Sequence, residues 1–198
     1  SFHLPVLIWG ARDERPNTDV SRGRDTQCGM FAATKVLRRH GVKYSYIYNC
    51  ETESDAFAQG YDRFIRTAAV LKALRNLRLA KIGDRPVPFM SVMTNEADLI
   101  RRMGVTVIPI SPAEVSRRAK EIMEKKTEDF LSYYNDLTGR MNTDAMREEL
   151  VEMAAATKLA LSELMRENDC SVGAFECWSA FPSLIGVCPC VALGEMAD

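Results

Sequence analysis

Short apolar segments alternate with amphipathic segments along the chain, and this alternation is the feature that most constrains its fold. Apolar, β-branched or aromatic runs predict strands at residues 5–9, 44–48, 80–83, 105–110 and 171–175. The last strand is predicted to be buried, and Pro109 places the fourth at a sheet edge or at a strand end. Helical periodicity predicts helices over residues 27–40, 61–79, 95–103, 111–126, 127–137 and 144–167. The end signals are predicted caps at Thr94 and Ser111-Pro112 and predicted terminators at Gly41 and Gly104. Strands that alternate with helices form parallel sheets. The predicted class is therefore α/β, with three-layer, doubly wound, mainly parallel sheets of the flavodoxin or Rossmann type.

A composition break divides the pattern. Residues 49–60 are acidic and polar, and they separate the first two predicted strands from the rest of the chain. We expect two sheets that meet near this break. The predicted domains are residues 1–60, the last part of a first α/β domain, and residues 61–198, most of a second.

Overall charge excludes several classes of partner. The 198 residues carry a formal net charge of −1, with acidic and basic side chains interspersed, so the basic surface of a nucleic-acid binder is absent. No apolar run is long enough to span a bilayer, and the first residues do not read as a signal sequence. We expect no nucleic acid or membrane as a partner and a cytoplasmic location.

The six cysteines are too sparse for a disulfide scaffold and are predicted to be reduced. Zinc is the sharper alternative, with Cys170, Cys177, Cys188 and Cys190 as ligands. Structural zinc sites favour pairs of cysteines two to four residues apart, and this spacing matches poorly. Buried cysteines that act as small hydrophobic residues are the favoured interpretation.

No complete active site can be assembled from the sequence. His3 lies near the first residue and His40 at a predicted helix end, and neither has an evident Cys or Ser partner. The glycine-rich loops that bind dinucleotides or nucleoside triphosphates are absent. Arginines after the first strand could reach an anionic or hydroxyl-rich ligand, although a solvated loop is favoured; they are Arg12, Arg15, Arg22 and Arg24.

Glu176 and Trp178 are the candidate substrate contacts. They follow the predicted strand at residues 171–175, and ligands in α/β sheets bind outside the carboxyl ends of strands. The competing interpretation is that Trp178 belongs to the core and Glu176 is a solvated loop charge.

The order of these features resembles the L-fucose and L-arabinose isomerase family of aldose–ketose isomerases. The most specific block is Phe-Glu-Cys-Trp at residues 175–178, followed by Cys-Pro-Cys at residues 188–190. The earlier blocks of the resemblance are Ile-Trp-Gly at 8–10, His-Gly-Val at 40–42, Lys-Ile-Gly at 81–83, Asn-Glu at 95–96, Arg-Met-Gly-Val at 102–105 and Val-Ile-Pro-Ile at 107–110. The resemblance spans nearly the whole chain but only the middle portion of a family member.

The resemblance implies a metal-assisted proton transfer between C1 and C2 of a monosaccharide through an enediol, with a divalent ion that is typically manganese. In the family the metal-binding residues follow the Pro-Cys block. We therefore expect an inactive fragment, with no catalytic or metal-binding residue of its own and with Glu195 and Asp198 as turn residues. Glu176 and Trp178 would contact sugar hydroxyls and the ring face, although many relatives have an amide in place of Glu176.

The resemblance also implies a homo-oligomeric parent protein. The alternative to an isomerase fragment is a non-catalytic domain, of flavodoxin-like or periplasmic-binding-protein-like shape, that binds a small ligand.

Overall fold

The structure is a computed structural model that describes residues 4–14 and 23–197. The chain divides into two units, Ser1–Ala73 and Leu74–Asp198. The described residues form parallel strands in two sheets, with eight α-helices, which confirms the predicted α/β class. The three-layer, flavodoxin-like arrangement and the assignment of residues 1–60 and 61–198 to two domains stay predictions.

The first unit is built on a strand–helix–strand arrangement. Strand β1 (Leu7–Ile8) pairs in parallel with β2 (Ser45–Tyr46), and helix α1 (Thr26–Arg39) connects them. Helix α2 (Asp55–Arg75) begins before the predicted residue 61. The reason is local: the Ser54 hydroxyl accepts a hydrogen bond from the Phe57 amide, as a helix cap does. His3, Arg15 and Arg22 lie outside the described residues.

Both ends of α1 are closed by local hydrogen bonds. The Asp13 carboxylate accepts from the amides of Thr26 (2.6 Å) and Gln27 (2.9 Å), so it neutralises the first turn of the helix. Gly41 ends the helix with φ +66°, and the next amide, of Val42, donates to the Leu37 carbonyl. Gly41 was the predicted terminator, and the left-handed backbone explains why glycine stands there.

The second unit contains a three-stranded parallel sheet in the order β4-β3-β5. Its strands are β3 (Arg78–Ile82), β4 (Thr106–Ile110) and β5 (Val172–Phe175). Lys81 of the central strand is in register with Pro109 on one side and Ala174 on the other. Proline is tolerated in β4 because β4 is an edge strand of this sheet, as its sequence predicted.

The helices of the second unit are α3 (Glu96–Met103), α4 (Pro112–Lys125), α5 (Glu128–Arg140), α6 (Glu148–Glu167), α7 (Ala180–Ile185) and α8 (Cys190–Gly194), with a 3₁₀ turn at Met90–Val92. Four of them, α3 to α6, follow the predicted order with shifted ends, whereas α7 and α8 were not predicted. Residues 76–79 were predicted to continue the preceding helix, but the chain enters β3 at Arg78, where pairing with two strands outweighs helical propensity. The predicted start of α6 at residue 144 is also wrong. Asn142 accepts a hydrogen bond from the Asp144 amide there, a turn that competes with the helix.

One face of the sheet forms the core of the second unit. Ala80 and Ile82 of β3 are buried beneath α4 and α6, together with Leu161 and the ring of Phe130. The other face carries Leu79, Lys81 and their neighbours, which are only partly covered.

Strand β5 was predicted to be buried, and that expectation is wrong: Val172, Gly173 and Ala174 are exposed. The strand lies at an edge of the described sheet, and its small residues leave much of its surface uncovered. No helix in the described part of the chain combines the length and apolarity that a membrane span requires.

Candidate functional site

A cavity of about 420 Å³ opens at the carboxyl ends of β3 and β5 in the second unit. This volume lies within the range of small-molecule sites, about 300–1,000 Å³. Its walls come from β3, β5, the segment after β3, and α3. The lining residues are Leu79, Lys81, Ile82, Gly83, Asp84, Arg85, Pro86, Phe89, Val92, Thr94, Glu96, Leu99, Val107, Ala174, Phe175, Glu176, Cys177 and Trp178.

The floor of the cavity follows from strand alternation. Leu79 and Lys81 are two residues apart in β3 and therefore point away from the core face that holds Ala80 and Ile82. Lys81 Nζ lies 3.1 Å from Glu96 Oε1, in the first turn of α3, and both side chains remain close to half exposed. The floor thus combines apolar surface with one ion pair that water or a ligand hydroxyl can reach.

An aromatic pair forms one wall. The ring centroids of Phe89 and Trp178 are 5.2 Å apart, with a tilt of 38° between the rings. Trp178 is 60% exposed, so the interpretation of Trp178 as a core residue is wrong. An exposed indole beside a cavity offers the flat apolar face on which ligand C–H groups pack.

Glu176 lines the same cavity, but it is buried rather than solvated, being 6% exposed. Its Oε1 accepts hydrogen bonds from the Ser179 amide (2.5 Å), the Ser179 hydroxyl (2.6 Å) and the Ala180 amide (3.3 Å). Its Oε2 accepts from the Ala180 amide at 3.2 Å. Glu176 therefore binds the start of α7 mainly through Oε1, while Oε2 accepts one longer hydrogen bond and keeps acceptor capacity.

The hydrogen bonds also set the charge of Glu176. Burial acts to raise the pKa of Glu176, but the hydrogen bonds from Ser179, Ala180 and the Trp178 backbone outweigh it, and the pKa lies below its ordinary value. The side chain is thus a carboxylate at neutral pH, an acceptor and not a donor.

Several polar residues of the cavity were not singled out as site candidates from the sequence, among them Lys81, Arg85 and Glu96. Lys81 could have been found, since it follows Leu79 at the two-residue spacing of one strand face. Glu96 stands fifteen residues later, and no local pattern pairs it with Lys81. The aromatic partner of Trp178, Phe89, carries no recognisable signal in its own segment.

The zinc alternative is not supported. No disulfide joins any of the six cysteines, all of which lie in the described part of the chain. Among the described residues, no group of three or more His, Cys, Asp or Glu side chains is arranged to hold a metal ion. Burial raises the pKa of the Cys177 thiol, and the neighbouring Cys190 thiol raises it further.

The remaining sequence candidates lie in the first unit. Arg24 Nε is 3.1 Å from Glu14 Oε1, so this arginine is paired within its own loop. His40 is the C-cap residue of α1 and is exposed. The exposure of Arg24 fits the interpretation of this arginine as a solvated surface residue.

Comparison of the sequence with known proteins finds similarity to sugar isomerases. Residues 1–75 match the family model described as the N-terminal domain of fucose/sulfoquinovose isomerase. The resemblance to the fucose isomerase family is thereby confirmed, with residues 1–75 as the matched part of the chain.

The similar curated proteins are, more narrowly, sulfoquinovose isomerases. The chain is 22% identical over 197 residues to that of Priestia aryabhattai and 25% identical over 201 residues to that of Clostridium sp. (strain MSTE9). Each match covers 100% of this chain and 43% of the relative. The chain thus spans less than half the length of the relatives it matches.

Proposed function

We propose that this chain is part of an aldose–ketose isomerase and that the cavity after β3 and β5 forms part of its monosaccharide site. The observation that carries the proposal is the position of Trp178 and Glu176 together at the carboxyl end of β5, on one cavity of suitable volume. Ligands of α/β sheets bind at this edge. The relatives' names support an isomerase of a hexose-type sugar.

The cavity suits a sugar chemically. The indole of Trp178 offers a face for the ring C–H groups, and Phe89 extends that face. The second oxygen of Glu176 can accept a hydroxyl hydrogen bond, while the ion pair of Lys81 and Glu96 offers a donor and an acceptor at the opposite side. Apolar walls with a few convergent polar groups are typical of small-molecule sites.

The proposed reaction of the complete enzyme is proton transfer between C1 and C2 through an enediol, assisted by a divalent ion that we propose to be manganese. The described residues do not provide a ligand set for such an ion. We therefore assign the metal and the proton relay to residues outside this chain, in a cytoplasmic homo-oligomer. The role of this chain is to bind and orient the sugar.

Titration calorimetry of the chain with candidate hexoses tests the binding role. We expect Trp178→Ala to weaken sugar binding roughly tenfold or more, since an aromatic face contributes on the order of a kcal/mol beyond its buried area. The matched control is Phe31→Ala, which removes a 64% exposed ring of α1 that does not line the cavity. Equal binding by all three proteins would contradict the assignment.

A second measurement addresses catalysis. The isolated chain, supplied with Mn²⁺ and sugar, should give no ketose above the uncatalysed background. Turnover that depends on Mn²⁺ would show that the chain carries its own metal site and would overturn this division of roles.

A further inference from the structure

The site contains an arginine whose hydrogen-bonding capacity is only half used. We propose that Arg85 recognises a tetrahedral oxyanion on the sugar, which makes the substrate class an anionic hexose rather than a neutral one. This inference rests on the proposed function, because it assigns the substrate class of the same cavity.

Arg85 is held in place by one edge of its guanidinium group. Its Nη1 donates to the carbonyl of Pro86 at 2.9 Å and of Val87 at 2.6 Å, and lies 3.8 Å from Met90 Sδ. Its Nε and Nη2 have no partner in the described part of the chain, and no carboxylate there forms an ion pair with it. The group is therefore fixed by the loop after β3, with two of its nitrogens still available to a ligand.

The position of Arg85 also supports a role in binding an oxyanion. Arg85 lines the 420 Å³ cavity and also an adjoining one of about 380 Å³, and in both it is accompanied by Lys81 and Asp84. Its side chain is partly buried at the cavity. A charge–charge hydrogen bond made here is stronger than one made in bulk water.

The other charges of the cavity are accounted for. Glu96 is neutralised by Lys81, and Glu176 by the amides that begin α7 and by the Ser179 hydroxyl. Asp84 is exposed to solvent, where its charge is screened. Arg85 is thus the cation of this cavity that no carboxylate of the described residues neutralises.

Guanidinium chemistry selects the ligand. Arginine presents parallel N–H donors that match the oxygens of carboxylate, sulfonate or phosphate groups, and such charge-assisted pairs are stronger than neutral ones. The relatives are named for sulfoquinovose, a hexose that carries a sulfonate. We therefore expect the sulfonate to be the group that Arg85 contacts, while the ring packs toward Trp178.

The test compares three sugars by titration calorimetry on the 198-residue chain: sulfoquinovose, its uncharged counterpart 6-deoxyglucose, and glucose 6-phosphate. Arg85→Gln should weaken sulfoquinovose binding about tenfold to a hundredfold, the effect of losing hydrogen bonds to a charged group, and leave 6-deoxyglucose unchanged. Arg85→Lys keeps the positive charge but lacks the parallel N–H donors of a guanidinium group. Its affinity for sulfoquinovose should therefore lie between those of the wild type and Arg85→Gln. Arg101→Gln is the matched control, since Arg101 pairs with Asp98 on α3 and does not line the cavity.

Unchanged 6-deoxyglucose binding by Arg85→Gln shows that the cavity still folds in the variant. If glucose 6-phosphate binds as tightly as sulfoquinovose and its binding also depends on Arg85, then Arg85 recognises an oxyanion on the sugar, and a phosphate can supply that oxyanion as well as a sulfonate. If the wild-type chain binds 6-deoxyglucose and sulfoquinovose equally, and Arg85→Gln weakens neither, the inference is overturned while the proposed function survives. If neither sugar binds, the proposed sugar site fails and the inference fails with it.

Discussion

Gly83 and Glu176 meet at the ends of neighbouring strands, so closely that a Cβ atom added to Gly83 would lie 2.7 Å from Glu176 Cβ. The Glu176 amide donates to the carbonyl of Ile82, the residue before Gly83, at 2.9 Å. Gly83 also has φ +82°, which an L side chain rarely adopts. The glycine at this position allows the buried carboxylate to reach the edge of the cavity.

Gly83→Ala should therefore destabilise the second unit. The left-handed backbone alone costs about 1–2 kcal/mol for alanine, and the close approach to Glu176 adds to that cost. The measurement is the free energy of unfolding in urea. Gly139→Ala is the matched control: Gly139 lies in α5 with nothing within 4 Å of an added Cβ, so alanine there should stabilise by up to about 1 kcal/mol. This account is contradicted if Gly83→Ala does not lower the free energy of unfolding, or if Gly83→Ala and Gly139→Ala change it equally.

Glu176→Gln should lower the free energy of unfolding at pH 7 by about 1.5–3 kcal/mol, because the hydrogen bonds to the start of α7 lose their charge. The folded-state pKa of Glu176 lies below its ordinary value, so its contribution is present above the unfolded pKa, about 4.3, and is lost as the pH falls through the folded pKa. The difference between wild type and Glu176→Gln should therefore shrink below about pH 4.

Urea unfolding between pH 7 and pH 2.5 measures this linkage, with Glu124→Gln as the control, an exposed carboxylate on α4. A difference that stays constant down to the lowest pH would refute the assignment of the effect to the charge of Glu176.

Tyr133 should make the stability of the chain sensitive to alkaline pH. Its hydroxyl donates to Glu195 Oε2 at 3.1 Å, and Lys158 Nζ lies 4.6 Å from the centre of its ring. Burial raises the pKa of Tyr133 well above its ordinary value, and the Glu195 carboxylate raises it further. The contribution of Tyr133 to the free energy of unfolding is therefore present below the pKa of tyrosine in the unfolded chain, about 10, and is lost as the pH rises above that value.

Tyr133→Phe should lower the free energy of unfolding at pH 7 by about 1 kcal/mol, because the hydrogen bond to Glu195 is lost. Between pH 9 and pH 11 the variant should lose less stability than the wild type, because it has no phenol to ionise. Thermal unfolding across that range provides the measurement. Tyr61→Phe, which removes an exposed phenol from α2, is the comparison variant. Parallel curves for wild type and Tyr133→Phe would count against this residue as the source of the alkaline sensitivity.

Leu161→Ala should be among the most destabilising truncations of α6. Leu161 is completely buried in the core beneath the sheet, and leucine-to-alanine changes at such sites cost about 2–5 kcal/mol. Leu131→Ala, at a residue of α5 that is 44% exposed, should cost much less. Comparable losses for the two variants in urea unfolding would show that the core has been assigned wrongly.

Much of the fold was predictable because its signals are local. Ser111 caps α4 by accepting from the Ala113 amide at 3.2 Å, with Pro112 in the first turn, as the sequence predicted. Gly104 ends α3 in the left-handed conformation, also as predicted. The predicted cap at Thr94 was one residue early, since the Asn95 side chain accepts from the Asp98 amide. A capping motif spans about four residues, so neighbouring polar residues compete for the cap position. The predicted end of a helix can therefore be wrong by one or two residues.

The candidate site was predictable only in part. Glu176 and Trp178 follow a strand end, which a single sequence can indicate, and both line the cavity. The pairing of Lys81 with Glu96, and the aromatic contact of Trp178 with Phe89, join segments far apart in the chain. Contacts of this kind depend on how strands and helices pack, and no local pattern encodes them. The role of Trp178 in sugar binding stays a prediction.

Local sequence patterns were sufficient to predict the α/β class, the order of the five strands and of helices α1 to α6, and the strand end at which Glu176 and Trp178 stand. These depend on residue periodicity and on caps and turns that act over a few residues. The folded chain was needed to show that β5 is exposed, that Glu176 is buried against the start of α7, and that Arg85 keeps two nitrogens available beside the cavity. Burial and hydrogen-bond partners depend on which distant segments pack together, and that packing is a property of the whole folded unit.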